Sequence, residues 1–169
     1  MATSGSEGRD WVYQRIARTT ADIIVDVGPG EGTYSILGRH LRLDAKWYGV
    51  EVFTPYIERY HLLQKYDGIF EMSITEFFAP LVPYVIFFGD VLEHLPYEKA
   101  VEILGYHLEY ASEIMVSIPI VESIQGEVDG NCHEAHLYQW TFEEMEAMLP
   151  GCESWRGAMI GRFWWRRNS

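Results

Sequence analysis

Short apolar runs separated by amphipathic stretches recur along the chain. IIVDV (residues 23–27) has the length and β-branched character of a buried strand. Comparable runs follow at KWYGVEV (46–52), GIFEM (68–72), YVIFFGD (84–90) and EIMVSIPI (113–120). Between them the period lengthens to that of a helix. Residues 9–20 predict an N-terminal helix, running from Arg9 to Arg18 with Trp11 or Val12, and Ile16, on its apolar side. TYSILGRHLRL predicts a second helix from Thr33. TPYIERYHLLQKY predicts a third, with Thr54 as N-cap and Pro55 at the first helical position. ITEFF, after the third strand, predicts a short irregular segment.

EKAVEILGYHLEYA sets Val101, Leu104, Leu108 and Ala111 at helical spacing, a stripe suited to covering a sheet. Thr141 with Glu144 three residues later predicts a capping box at the head of the last helix. SWRGAMI and RFWWRR predict two closing strands divided around Gly161. Five strands alternating with helices imply a parallel sheet, because each crossover returns the chain in the same direction. The expected fold is α/β, a doubly wound, mostly parallel sheet flanked by helices (Rossmann-like), closed by an antiparallel hairpin. Residues 1–169 form one domain on this reading, with 1–8 frayed and 121–140 a loop over the active site.

Composition narrows the function classes. The 169 residues are 48% hydrophobic and 15% aromatic, as in a globular chain with a substantial core. The formal net charge of −12 repels phosphate backbones, so nucleic acid is a disfavoured partner. Arg162, Arg166 and Arg167 make a weak basic patch, expected to be a solvated last strand. Two cysteines make no disulfide framework, and the start carries no secretory apolar segment. The uncharged run from Phe77 to Gly89 holds two prolines and falls short of the roughly 20 residues needed to span a bilayer. A soluble cytoplasmic protein is expected; its oligomeric state is open, a homodimer being one option.

Ligands of such sheets bind outside the carboxyl ends of the strands, where strand order reverses. There the chain places DVGPGEGTYS after strand one, Glu51 and Val52 after strand two, Met72, Ser73 and Ile74 after strand three, and Asp90 after strand four. Gly32 is followed by Thr33 and Tyr34, so the lysine of a phosphate-binding P-loop is missing. Gly28, Gly30 and Gly32 also depart from the dinucleotide spacing, and Glu31 stands where a diphosphate would lie. A carboxylate there disfavours a diphosphate and favours an ammonium or sulfonium, and Asp26 points the same way. Glu51 can accept two hydrogen bonds from a ribose diol.

DVGPGEGTYS, GVEV and FFGDVLEHLP, in this order and spacing, resemble the class I S-adenosylmethionine-dependent methyltransferases. The D-V-L-E-H ending of strand four resembles their small-molecule branch, as does HEAHLYQWTFEEMEAML; the likeness covers about residues 20 to 150. The resemblance implies S-adenosylmethionine as cofactor, S-adenosylhomocysteine as product and a small or modest-sized acceptor, oxygen being the expected atom. Gly28, Pro29, Gly30 and Gly32 would pass close to the methionine part of the cofactor, with Asp26 and Glu31 near its amino group or sulfonium. Glu51 and Val52 would hold the ribose. Met72, Ser73 and Ile74 would surround adenine, with Ser73 standing where the family commonly has an aspartate.

Asp90 would lie nearest the transferred methyl. His94, expected one turn into a helix, and the loop histidines His133 and His136 are the candidate bases or acceptor contacts. Tyr34, Tyr138, Trp140 and Trp11 are candidate apolar walls. Cys132, His133 and His136 have no fourth ligand at matching spacing, so no metal is expected. Two other classes remain open: a non-catalytic cofactor-binding partner, and an enzyme using the same cofactor for another reaction. A nicotinamide oxidoreductase is the rival at the level of fold.

Overall fold

The computed structural model describes residues 6–78, 80 and 82–167. Twelve regular elements alternate in the expected order: α1 (Arg9–Ile16), β1 (Ile23–Val27), α2 (Thr33–Gly38), β2 (Lys46–Val50), α3 (Pro55–Arg59), β3 (Gly68–Phe70), β4 (Tyr84–Gly89), α4 (Tyr97–Tyr110), β5 (Glu113–Pro119), α5 (Phe142–Met148), β6 (Glu153–Arg156) and β7 (Ile160–Arg166). The strands form one seven-stranded sheet in the order β3-β2-β1-β4-β5-β7-β6. β1 to β5 are parallel, and β7 runs antiparallel to both β5 and β6. Strand order reverses between β1 and β4, which pair directly with Val27 opposite Phe88.

Strand periodicity divides the core into two layers. Val25, Val27, Ile86, Phe88, Ile114 and Val116 face α4 and α5, packing against Leu104 and Met145. Ile24, Trp47, Val85, Phe87 and Met115 face the other way, against Val12, Ile16 and Tyr34. With both faces covered, the central strands have no polar alternation to show.

Several local expectations change. The first helix stops at Ile16, and the second ends at Gly38 before a 3-10 turn at Arg39–Leu41. Gly38 permits tight packing there: a Cβ would meet Ile16 at 2.7 Å and Trp47 at 3.1 Å. Thr54 is itself helical and makes no side-chain cap, although Pro55 does occupy the first turn. The buried side of α4 is Ala100, Ile103, Leu104 and His107, a stripe rotated from the expected one. Its His107 Nδ1 meets Tyr84 Oη at 2.7 Å, and burial lowers the imidazole to about 4. The capping box of Thr141 and Glu144 forms on both sides.

Gly161 lies inside β7 rather than in the turn. Because β6 pairs on its outer side, β7 is an interior strand, and Arg162 is fully buried. Its Nε donates to the Glu7 carbonyl and its Nη1 to Tyr34 Oη at 3.0 Å. The expected solvated strand is therefore wrong at Arg162. The same contacts bear on the frayed start: residues 1–5 lie outside the described residues, whereas Glu7 accepts from the amides of Met159 and Ile160. Among the described residues no helix is long and apolar enough to cross a membrane.

Candidate functional site

A pocket of about 280 Å³ opens at the carboxyl ends of β1, β2 and β4, beside the β1/β4 reversal. Ladder hydrogen bonds continue past the strands to its rim. Gly28 N–H donates to Val50 C=O at 2.9 Å, Glu51 N–H to Phe70 C=O at 2.9 Å, and Asp90 N–H to Ser117 C=O at 2.9 Å. The rim is thus an extension of the rigid sheet, the kind of support a preorganised site requires.

The glycine turn supplies the first wall. Gly28 and Gly30 both have positive φ (56° and 51°), which an L side chain rarely adopts. A Cβ on Gly28 would also reach Val91 Cγ2 at 3.0 Å. Gly28, Pro29 and Gly30 line the pocket, but Glu31 and Gly32 do not. The turn carries these two away into the start of α2, where Lys65 Nζ donates to the Glu31 carbonyl at 2.6 Å. The Glu31 side chain, expected from the sequence to meet a ligand, is half-buried there and does not line the pocket.

Asp26 is displaced for a different reason. Alternation along β1 turns it to the face of Ile24, under the sheet, where it accepts from Tyr66 Oη at 2.5 Å. Its Oδ1 is buried without a hydrogen-bond partner, and burial pushes the carboxyl up to about 7 despite the Tyr66 bond. The folded protein therefore holds a proton that the unfolded chain has lost between about pH 4 and pH 7. This contribution to stability is complete below that window and lost as pH rises through 7. Asp26→Asn should reduce the fall in melting temperature between pH 5 and pH 8; a fall equal to that of the parent protein would refute the assignment.

Glu51 and Val52 form the second wall. Glu51 is 4% exposed, and its Oε1 accepts from the Phe53 amide at 2.8 Å. Burial is the main cause that pushes its carboxyl up to about 7, with that amide bond opposing. Met72, Ser73 and Ile74 close the same side. Ser73 caps a 3-10 turn, its Oγ accepting from the Thr75 amide at 3.2 Å and the Thr75 hydroxyl at 2.9 Å. Both lone pairs are used, so Ser73 can offer a ligand its O–H but no further acceptor.

Asp90 sits at the mouth of β4 with φ 56°, a left-handed conformation that aspartate tolerates better than most residues. Ser117 Oγ donates to its Oδ1 at 2.8 Å, fixing the carboxylate at the pocket edge. His94 belongs to a 3-10 turn, Leu92–His94, ahead of α4, and not to a helix. Its Nδ1 donates to the Ala135 carbonyl at 3.2 Å, while burial lowers its pKa. His136 Nδ1 donates to the Ser123 carbonyl at 2.5 Å, and the two rings meet edge to face at 4.9 Å. His94, His133 and His136 all line the pocket.

Among the lining residues that sequence reasoning missed are Glu93, Glu134, Asn131 and Tyr56. Glu93 stood inside the quoted D-V-L-E-H run without a role. It is 1% exposed, Oε2 has no hydrogen-bond partner, and burial with the nearby Asp90 charge holds it well above the usual carboxylate range. The proposed aromatic walls lie elsewhere: Tyr34 and Trp140 are buried in the core, Tyr138 packs on Trp140, and Trp11 stacks under Arg15.

No family model and no curated protein matches the chain. Solved structures do. An O-methyltransferase family protein from Burkholderia thailandensis aligns with 95% of this chain and 56% of its own, at TM-score 0.59 and 12% identity. The N-terminal domain of EvdMO1, solved with SAH bound, aligns with 98% of this chain and 83% of its own, at TM-score 0.67 and 11% identity. Human N-acetylserotonin methyltransferase, in complex with SAM, aligns with 97% of this chain and 52% of its own, at TM-score 0.66 and 14% identity. The chain thus spans little more than half the length of the first and third. At these identities the likeness is one of architecture: the chain has the Rossmann-like fold of the class I S-adenosylmethionine-dependent methyltransferases.

Proposed function

We propose that the chain is an S-adenosylmethionine-dependent methyltransferase acting on oxygen in a small or modest-sized acceptor. The observation that carries the proposal is the buried Glu51 carboxylate, facing the same pocket as the positive-φ glycine turn and Asp90. Glu51 accepts from the two ribose hydroxyls. Gly28, Pro29 and Gly30 let the backbone pass along the methionine portion. Met72 and Ile74 flank adenine, and Ser73 donates its O–H to a ring nitrogen instead of accepting from the amino group. Asp26, Glu31 and Gly32 act on the shape of the loop.

Transfer itself is an in-line displacement, so alignment and exclusion of water supply much of the rate. Asp90 lies beside the sulfonium. That charge disappears as sulfur becomes a thioether, so Asp90 favours the bound cation over the discharged product. Asp90→Asn should therefore weaken S-adenosylmethionine more than S-adenosylhomocysteine in paired calorimetric titrations; equal loss for both would remove Asp90 from the sulfonium. His94, His133 and His136 face the acceptor.

The activity is tested by incubating the protein with S-adenosylmethionine labelled in its methyl group and a panel of hydroxyl-bearing metabolites. Label should appear in an ether or ester fraction. Cofactor binding without any transfer would identify a binding subunit, and release of label without an acceptor product would identify another reaction of the cofactor.

A further inference from the structure

The expectation of no metal rested on linear spacing around Cys132, and folding changes which donors meet. A Glu93 carboxylate oxygen, one His94 ring nitrogen and one His136 ring nitrogen lie within 4.8 Å of one another. We propose that Glu93, His94 and His136 form a divalent-cation site that holds and activates the acceptor hydroxyl.

Several independent features point to a cation. Glu93 Oε2 is buried without a hydrogen-bond partner at the wall of an open pocket, which is costly unless a ligand completes it. Both histidines give their Nδ1 hydrogen to a backbone carbonyl, Ala135 for His94 and Ser123 for His136. In the neutral ring that leaves Nε2 as a bare lone pair, the arrangement by which protein carbonyls orient metal-binding imidazoles. The loop is pinned at this place: Leu137 and Tyr138 amides both donate to the Glu93 carbonyl, at 2.8 Å and 3.1 Å. Asp90 and Glu134 line the same pocket, adding negative potential.

Two imidazoles and one carboxylate suit Mn²⁺, Co²⁺ or Zn²⁺ better than the all-oxygen preference of Ca²⁺. Ligands about 2.1 Å from a cation stand roughly 3.0–3.4 Å apart, a spacing inside the 4.8 Å that bounds these donors. Three protein ligands leave coordination positions open toward the pocket. A hydroxyl bound there is acidified. On transfer the O–CH3 bond forms as the S–CH3 bond breaks, S-adenosylhomocysteine leaves with a neutral sulfur, and the hydroxyl proton passes to water.

The acceptor's part in this rests on the methyltransferase reading, but the cation site does not, and each is measured separately. Chelator-treated protein is titrated with Co²⁺ alone, followed by visible absorption, and with Mn²⁺ by calorimetry. One equivalent should bind with a cobalt spectrum of nitrogen and oxygen ligation. Glu93→Gln and His136→Ala should each weaken binding at least tenfold, with melting curves confirming the fold. Should Glu93→Gln fail to fold, His136→Ala, on the loop, decides alone. No saturable binding by the parent protein, or unchanged binding in folded His136→Ala, overturns the proposal. Cobalt binding without S-adenosylhomocysteine binding supports the site while refuting the methyltransferase reading.

Discussion

Glu51→Gln should weaken S-adenosylhomocysteine binding by about ten- to a hundredfold, since hydrogen bonds to a charged group are worth about 1.5–3 kcal/mol. The substitution keeps the shape of the side chain while removing its charge and turning one acceptor oxygen into an N–H donor. Its effect extends to pH. Burial pushes the Glu51 carboxyl up to about 7, so in the empty protein it is half protonated near neutrality. Ribose hydroxyls donate to the ionised form, and binding therefore expels the proton. Affinity of the parent protein should fall as pH drops below about 7, approaching tenfold per unit, and level off above it. The Glu51→Gln variant should lose that dependence. Asp26 titrates in the same range but lies off the pocket, so Asp26→Asn should keep the slope. Calorimetry at pH 5.5, 6.5, 7.5 and 8.5 is the check, and a flat profile for the parent protein would remove Glu51 from the ribose.

Gly89→Ala should cost stability on the order of 3 kcal/mol, at the upper end of what overpacking a core usually costs. A Cβ there would stand 2.1 Å from Tyr34 Cε2. Tyr34 has no room to retreat: it is 2% exposed, packs edge to face on Phe87 at 5.5 Å, and its hydroxyl accepts from the buried Arg162. The added methyl must therefore move α2 away from β4 or displace the end of β4 beneath Asp90. For a chain of this size the melting temperature should drop by roughly 6–12 °C. A variant melting within 2 °C of its parent would show that this contact is softer than its geometry implies.

Much of the architecture was legible because strands buried on both faces must read as apolar runs, as YVIFFG does in β4. The capping box of Thr141 and Glu144 was equally local, needing only the identities of two residues three apart. What failed was whatever depends on facing. Arg162 in a basic, aromatic tail gave no sign that another strand would pair outside β7 and bury it. Asp26 sat in the motif as expected, yet alternation turned it beneath the sheet while Glu51 reached the pocket. Glu31 looked like the decisive charge, and the turn that presents Gly28 and Gly30 swings it away. Glu93 and His136, 43 positions apart by the numbering, meet only because the loop after β5 folds back over the 3-10 turn at Leu92–His94. An acidic residue between Leu92 and His94, beside a strand end, was the available signal.

The fold is shared with methyltransferases whose identities to this chain are 11–14% among the three compared, so cofactor choice rests on the pocket. The most direct test is a calorimetric titration of the purified protein with S-adenosylhomocysteine and, separately, with NAD. A single saturable site for S-adenosylhomocysteine, weakened by Glu51→Gln, is expected, with no binding of NAD. Binding of NAD with no response to S-adenosylhomocysteine would contradict this expectation.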